Sequence, residues 1–219
     1  MSESLHTAEV VHWIALAVMA VVYTTRILWL LSFKKGVDRS APNPSNRTSA
    51  TEGAYYSLAN VAMPWAMEST RRGMFFYATF VLFHLGVTAG IALAFLSTIV
   101  PDFVRHPFVA WVFGALIAGA FLVGLGRMVR RIAVPYMRLI STPDDYFSLL
   151  MLICWFALGV ATQGYLAGSS AFANESYLVA YLYLTSFFLL YVPFSKISHY
   201  LYYPFTRWWL GKALGHRGS

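Results

Sequence analysis

Long apolar segments alternate with short polar segments along the whole chain. Five of the apolar segments are long enough to cross a hydrocarbon core of ~30 Å as α-helices, which rise ~1.5 Å per residue. The predicted spans cover approximately residues 10–33, 73–100, 107–126, 146–167 and 176–203. The pattern therefore predicts an all-α integral membrane protein whose five-helix bundle forms one domain over residues 1–219.

Polar and small residues between the spans give local predictions. The sequence Thr142-Pro143-Asp144-Asp145 predicts an N-cap, a proline in the first helical turn and acidic residues that favour a helix start. Residues 40–53 are rich in Pro, Ser, Asn and Thr, which is typical of a flexible loop. The mixed apolar and polar segment 54–67 predicts a helix on the inner membrane surface.

Composition and charge add an orientation to the membrane prediction. Hydrophobic residues make up 58% of the chain and charged residues only 11%, against about 25% charged in an average soluble domain. By the positive-inside rule, the distribution of Lys and Arg predicts an outer N-terminus and a cytoplasmic C-terminus in a multi-pass protein of the inner cell membrane. The inner segments hold Lys34, Lys35, Arg39, Arg47, Arg71, Arg72, Arg127, Arg130, Arg131, Arg138, Lys196, Arg207, Lys212 and Arg217, and the outer segments hold Arg105. The net charge of +7 is therefore assigned to cytoplasmic segments that face anionic lipid or an acidic partner, and not to nucleic-acid binding.

Cysteine usage excludes several cofactors from this chain. Cys154 is the single cysteine and lies within an apolar run. An iron–sulfur cluster needs about four thiolates and a covalently attached haem needs a Cys-x-x-Cys-His sequence. The N-terminal sequence Met1-Ser2-Glu3-Ser4 lacks the features of a signal peptide, so the first apolar run is expected to remain as a span.

Two histidines inside the predicted spans are candidate haem ligands. His84 lies well inside span two, and His199 lies near the inner end of span five. Neutral imidazole is a common axial ligand of iron in membrane-bound b haem, and two such ligands allow electron transfer without oxygen binding. Gly86 and Gly90 could let a porphyrin approach the helix closely. The alternative is that each histidine only forms hydrogen bonds with neighbouring helices.

Helix counting gives the two histidines different depths. At helical rise, His84 lies ~16 Å from the start of its span and His199 ~35 Å from the start of its own. Helix tilt, a bend at Pro193, or a second helix that begins below the membrane surface would reduce this mismatch.

The sequences around these histidines resemble a known family. The run Pro193-Phe194-Ser195-Lys196-Ile197-Ser198-His199, followed by Pro204, resembles the end of the last span in the gamma subunit of respiratory nitrate reductase and its relatives. Phe83-His84-Leu85-Gly86 is similar to the family's motif in span two, and the five spans, the orientation, the length and Arg26 agree as well. The run from Pro64 to Arg71 looks more like relatives from sulfur metabolism and heterodisulfide reduction.

The resemblance implies a function and a haem count. It implies a haem b subunit of a respiratory oxidoreductase, which transfers electrons between a membrane quinone, with menaquinone as one candidate, and an iron–sulfur subunit on the cytoplasmic side. Such a subunit does not itself act on the terminal substrate. Nitrate reductase gamma subunits carry a second haem, whose ligand positions correspond here to Ala94 and Tyr181. The resemblance therefore predicts one haem b, held by His84 and His199.

Four residues expected in the outer half are candidates for a quinone site. Imidazole at the membrane boundary can accept a proton from a quinol hydroxyl group, which makes His12 and His106 candidates. Gln163 and Tyr181 could donate hydrogen bonds in the same region. The alternative for all four residues is ordinary interfacial anchoring or helix packing. A second haem held by His12 or His106 is a further alternative.

Basic residues at the inner ends of the spans are candidate contacts for haem propionates or for the partner subunit. Arg127, Arg130 and Arg131 have i, i+3, i+4 spacing, which places them on one helix face, and Lys196 lies one turn before His199. Positive-inside arginines also occur in proteins without cofactors. The alternative function is therefore a haem-free membrane anchor or small transporter with structural histidines.

Overall fold

The computed structural model describes residues 2–34, 36 and 49–214, except for the side chain of Ser69. The regular secondary structure of these residues is helical. Within those residues there is no β-strand. The helices are α1 (Glu3–Ser32), α2 (Ala50–Ala59), α3 (Glu68–Arg72), α4 (Met74–Ile99), α5 (Pro101–Arg105), α6 (Pro107–Ala133), α7 (Pro135–Ile140), α8 (Pro143–Leu166), α9 (Ser176–Tyr191) and α10 (His199–Leu214). Single 3-10 turns occupy Asn60–Ala62, Ser170–Phe172, Val192–Phe194 and Lys196–Ser198.

Five helical segments of the described chain are long and apolar enough to cross a membrane. They are Glu3–Ser32, Met74–Ile99, Pro107–Ala133, Pro143–Leu166 and Ser176–Phe194. The all-α fold with five membrane-spanning helices is thus confirmed, and the chain is a multi-pass membrane protein.

The helices of two spans, α1 and α6, extend well beyond the predicted ends. α1 begins at Glu3, because a helix can continue beyond its apolar part into water; the Thr7 hydroxyl donates to the Glu3 carbonyl at 2.9 Å. α6 continues to Ala133, where Pro135 restricts the backbone of the residue before it and so ends the helix. The length of an apolar run therefore underestimates the length of the helix that contains it.

The single helix predicted over residues 176–203 is wrong. α9 ends at Tyr191, two 3-10 turns follow, and His199 is the first residue of α10. Pro193 has no N–H to donate, and its ring would clash with the carbonyl four residues earlier, so it breaks the helix. The bend at Pro193 is therefore present.

The local predictions between the spans have mixed outcomes. Thr142 and Asp145 form the predicted cap reciprocally, with the Thr142 N–H donating to the Asp145 carboxylate at 2.7 Å. The surface helix predicted over 54–67 instead begins at Ala50 and ends at Ala59, because Ser49 and Glu52 form a capping box at its start. Residues 50–53, predicted as loop, are therefore helical. The rest of that loop, 40–48, lies outside the described residues, as do Lys35, Arg39, Arg47 and Arg217.

The fold divides into two compact units. Unit 1 consists of the described residues up to Leu16 together with Ala78–Phe188. In it, α6 runs antiparallel to both α4 and α8: Arg127 and Ala120 lie near Phe83 and Gly86 of α4, and Gly124 packs on Ile153. Large apolar side chains fill its core, including Leu93, Ile117, Trp155, Phe156, Tyr181 and Leu182.

Unit 2 consists of Ala17–Tyr77 and the described residues from Leu189 onwards. Here α2 packs along α10. The backbones touch, because a β-carbon placed on Gly211 would collide with the Gly53 carbonyl oxygen and would lie 2.7 Å from the α-carbon of Ala54. The Arg207 side chain also donates to the Ser57 carbonyl at 3.0 Å. Small residues on α2 thus allow the close approach of two helices.

Candidate functional site

His84 lies on the exposed stripe of α4 and presents one ring nitrogen outward. The exposed residues Phe80, His84, Thr88 and Ile91 follow helical spacing on this stripe. The His84 Nδ1 atom lies 2.7 Å from the Phe80 carbonyl oxygen. Because a carbonyl can only accept, Nδ1 is the donor in this contact and Nε2 takes no part in it. This arrangement suits a metal-ligating histidine, whose second nitrogen is usually held by a backbone carbonyl or a carboxylate.

Aromatic and basic side chains lie beside His84 in unit 1. The Phe80 ring centroid is 4.1 Å from that of His84, and the Phe83 centroid is 6.0 Å away. The half-buried Arg127 guanidinium stacks over the Phe83 ring, with Cζ 4.4 Å from the centroid. A cation–π contact of this kind holds a cation in place. Arg127 is therefore fixed next to the residue that precedes His84.

His199, in unit 2, has the same ring arrangement as His84. Its Nδ1 donates to the Lys196 carbonyl oxygen at 3.1 Å, and the residue is exposed at the start of α10. The Nε2 atom of His199 therefore takes no part in this contact either. Lys196 contributes its backbone to this contact, in the 3-10 turn directly before His199.

The three arginines at the C-terminal end of α6 have different partners. Arg131 donates to the Ser141 hydroxyl at 2.7 Å and lies 3.9 Å from the Asp145 carboxylate. Arg130 is exposed and donates to the Tyr136 hydroxyl at 3.5 Å. Arg131 thus joins the end of α6 to the start of α8, and Arg127 is the one of the three that lies against α4.

The expected positions of an outer haem contain packed side chains. Tyr181 is fully buried, donates to the Gly90 carbonyl at 2.6 Å and stacks on Trp155 with centroids 5.6 Å apart. Trp155 lies directly over Gly90, because a β-carbon there would be 2.5 Å from its Cη2 atom. Ala94 is fully buried. The interpretation of Gly90 as space for a porphyrin is thus replaced by packing against Trp155, a residue that the sequence analysis did not single out.

Gly86 also serves helix packing. A β-carbon on it would collide with the Ala120 side chain and lie 2.7 Å from the Leu116 carbonyl oxygen. This close contact fixes the face of α4 that is turned away from the exposed stripe. Gly86 therefore positions α4 against α6, and its face is not the one that carries His84.

The candidate quinone residues have separate surroundings in unit 1. His12 is fully buried, 4.8 Å from Phe95 between ring centroids, and neither ring nitrogen has a hydrogen-bond partner. Gln163 donates to the Val104 carbonyl at 3.0 Å, while its Oε1 is buried without a partner. His106 is exposed and occupies the N-cap position of α6, where its side chain forms no capping hydrogen bond. Unpaired buried polar atoms are costly, so His12 and Gln163 stand out from ordinary packing residues.

The described residues contain no cluster of three or more His, Cys, Asp or Glu that could hold a metal ion. Cys154 is exposed and not disulfide-bonded.

Comparisons with known proteins identify a relative of unstated function. A protein of Nitratidesulfovibrio vulgaris (strain Hildenborough), described only as "Protein", is 27% identical over 204 residues, which cover 91% of this chain and 88% of that protein. No protein-family model matches the chain. No solved structure matches it either.

Proposed function

We propose that this chain is the haem b membrane subunit of a respiratory oxidoreductase complex, with electrons passing between a membrane quinone and a cytoplasmic-side iron–sulfur subunit. The observation that carries the proposal is that His84 and His199 make the same kind of contact with the backbone. In His84 and His199, Nδ1–H is held by a backbone carbonyl, and Nε2 is presented outward from an apolar helix or the turn that follows one.

An exposed imidazole in an apolar span needs a reason, because polar groups that face lipid are costly. Coordination of iron by Nε2 supplies one, because it would give that ring nitrogen a partner. Haem b, when bound, would supply one-electron transfer. His84 and His199 would hold it, and Arg127, held beside the Phe83 ring, is the best candidate contact for a propionate.

Packing in unit 1 favours one haem over two. Tyr181 and Trp155 fill the region beside Gly90, and Tyr181 uses its hydroxyl on the Gly90 carbonyl. Neither side chain offers an imidazole to iron. The proposed count is therefore one haem b per chain.

The quinone is proposed to bind at the outer end of unit 1. His12 has two buried ring nitrogens without partners, and Gln163 has one such oxygen. A quinone carbonyl or a quinol hydroxyl is a suitable partner for either residue, and imidazole can accept a quinol proton. Of the four candidates, these two have buried polar atoms without a partner in the described contacts.

The iron–sulfur partner is proposed to dock on the inner side. The basic segments there, including Arg130 and Lys212, would favour an acidic protein face. The predicted orientation puts the start of α10, and with it His199, on the same side. Electrons would thus leave or enter near His199.

Haem content and spectra test the proposal directly. The wild-type protein is expected to hold about one haem b per chain, measured as the pyridine haemochrome against protein concentration. His84→Ala and His199→Ala should each lose the reduced b-type absorbance, because one remaining imidazole leaves the iron without its second protein ligand. His6→Ala, an exposed histidine near the N-terminus, is the matched control and should keep full haem content.

Three outcomes would contradict parts of the proposal. A wild-type protein without haem would favour the membrane anchor or transporter. A ratio near two would favour a second haem held by His12 or His106. Full haem content in either histidine variant would remove that residue from the ligand pair.

A further inference from the structure

The helix break before α10 leaves a backbone carbonyl that a side chain from α1 satisfies. In a continuous helix, the Pro193 carbonyl would accept from the Ile197 N–H, but here that N–H donates to the Ser195 hydroxyl at 3.2 Å. The Arg26 guanidinium donates to the Pro193 carbonyl instead. Inside a membrane such a group needs a protein partner, because lipid offers none.

Arg26 makes a second contact with the same segment. Its Cζ atom lies 5.1 Å from the ring centroid of Phe194. Arg26 is about 9 Å from the end of α1, counted at helical rise. The guanidinium is therefore held by the carbonyl of Pro193 and by the ring of Phe194.

Tyr23 holds the other end of the segment. Its hydroxyl lies 2.5 Å from that of Tyr200, the residue after His199, and the two rings meet edge to face with centroids 6.0 Å apart. Tyr23 is buried and Tyr200 is half exposed. A hydrogen bond between two phenols in apolar surroundings restricts both side chains.

Between these two anchors, hydrogen bonds lead from the turn to the His199 ring. The Ser198 backbone N–H donates to the Ser195 carbonyl at 3.2 Å, which closes the second 3-10 turn, and the Ser198 hydroxyl donates to the same carbonyl at 2.8 Å. The Lys196 carbonyl in that turn accepts from His199 Nδ1. The backbone that α1 holds is therefore the backbone that orients the imidazole.

We propose that Arg26 and Tyr23 are positioning residues that set the orientation of the His199 imidazole by holding the segment Pro193–Tyr200. The inference rests on the proposed function, since the readout is the haem that His199 would ligate. Partners that orient a ligating histidine typically change metal affinity 10- to 100-fold when they are removed. When such a change differs between the ferric and ferrous states, it shifts the redox potential.

The test uses the full chain in nanodiscs and two kinds of measurement. Tyr23→Phe and Arg26→Gln are compared with Arg26→Lys, which keeps a cationic donor, and with Thr25→Ala as the matched control, because Thr25 bonds within its own helix. Redox titration and low-temperature EPR report the haem, and hydrogen exchange of the amides around residues 197–201 reports the segment without reference to haem.

We expect Tyr23→Phe and Arg26→Gln to retain haem, to shift its potential and EPR signature, and to speed amide exchange at least tenfold. A tenfold change in relative affinity for the two oxidation states corresponds to about 59 mV for a one-electron couple. Arg26→Lys should restore part of the shift, and Thr25→Ala should cause none. If Arg26→Gln does not fold, Tyr23→Phe decides alone, because it removes a single oxygen.

The outcomes separate this inference from the proposed function. Wild-type haem with unshifted potentials in both variants overturns the inference and leaves the function standing. Faster exchange with an unchanged potential also overturns it, since the contacts would then only stabilise the fold. A wild-type chain without haem overturns both.

Discussion

Substitution of Gly86 by alanine tests the packing of α4 on α6. The new β-carbon would lie 2.7 Å from the Leu116 carbonyl oxygen and closer still to the Ala120 side chain. A backbone oxygen cannot rotate away as a flexible side chain can, so the helices must move apart. Overpacking of this kind costs about 1–3 kcal/mol, against a gain of about 0.5–1 kcal/mol from replacing glycine within a helix.

Gly126→Ala is the matched control for this prediction, because nothing lies within 4 Å of a β-carbon there. Both variants share the gain in helix propensity, so their difference isolates the overpacking cost. The free energy of unfolding in mixed detergent micelles should thus be lower for Gly86→Ala by about 1–3 kcal/mol. Equal stabilities for the two variants would refute the close contact between α4 and α6.

Three further perturbations have expected outcomes. His12→Leu removes two unpaired buried ring nitrogens and should raise the free energy of unfolding by about 1 kcal/mol. The same variant should slow the reduction of haem by quinol. A lower free energy of unfolding would show that the two nitrogens have partners. Arg131→Gln removes a partly buried contact with the Asp145 carboxylate and the hydrogen bond to the Ser141 hydroxyl, and it should lower the free energy of unfolding by about 1 kcal/mol. In an Asp145→Asn background, the ionic part of this loss should be absent. Hydrogen bonds from the Ser49 backbone and side chain lower the pKa of Glu52, so the ionised carboxylate supports α2 above the ordinary carboxyl range, and this support is lost as pH falls through the lowered pKa. The protection factors of the α2 amides, corrected for the intrinsic pH dependence of exchange, should therefore fall in acid, and a Glu52→Gln variant should lack this fall.

Local features of the fold could be predicted from the sequence, because their causes lie within a few residues. Thr142 caps α8 through a carboxylate three residues away, and both partners are visible in the sequence. The number of spans follows from apolar length alone. The start of α1 was missed because a hydrophobic run measures what is buried in lipid, and the helix continues past it to Glu3.

Contacts between distant residues could not be predicted in the same way. The stacking of Trp155 on Tyr181 and the donation from Arg26 to Pro193 join residues on different helices. A single sequence carries no signal for such pairs beyond residue type. Pro193 itself was visible as a bend, but the α10 helix that begins at His199 required the structure.

The same limit applies to the candidate site. His84 and His199 were singled out because ionisable residues are rare in apolar spans. Which of their ring nitrogens donates to the protein followed only from the carbonyls of Phe80 and Lys196, which the fold brings to Nδ1. The unpaired nitrogens of His12 likewise depend on what surrounds the ring and not on its position in the chain.

The backbone contact between Gly53 and Gly211 has a consequence for biosynthesis. α2 leaves the ribosome long before α10, and most of the chain is synthesised between them. Until the last helix emerges, the small-residue face of α2 has no surface to pack against in unit 2. A nascent or truncated chain that stops before Gly211 should therefore be recognisable to quality-control proteases by α2, and only completion of the C-terminus should make that segment resistant.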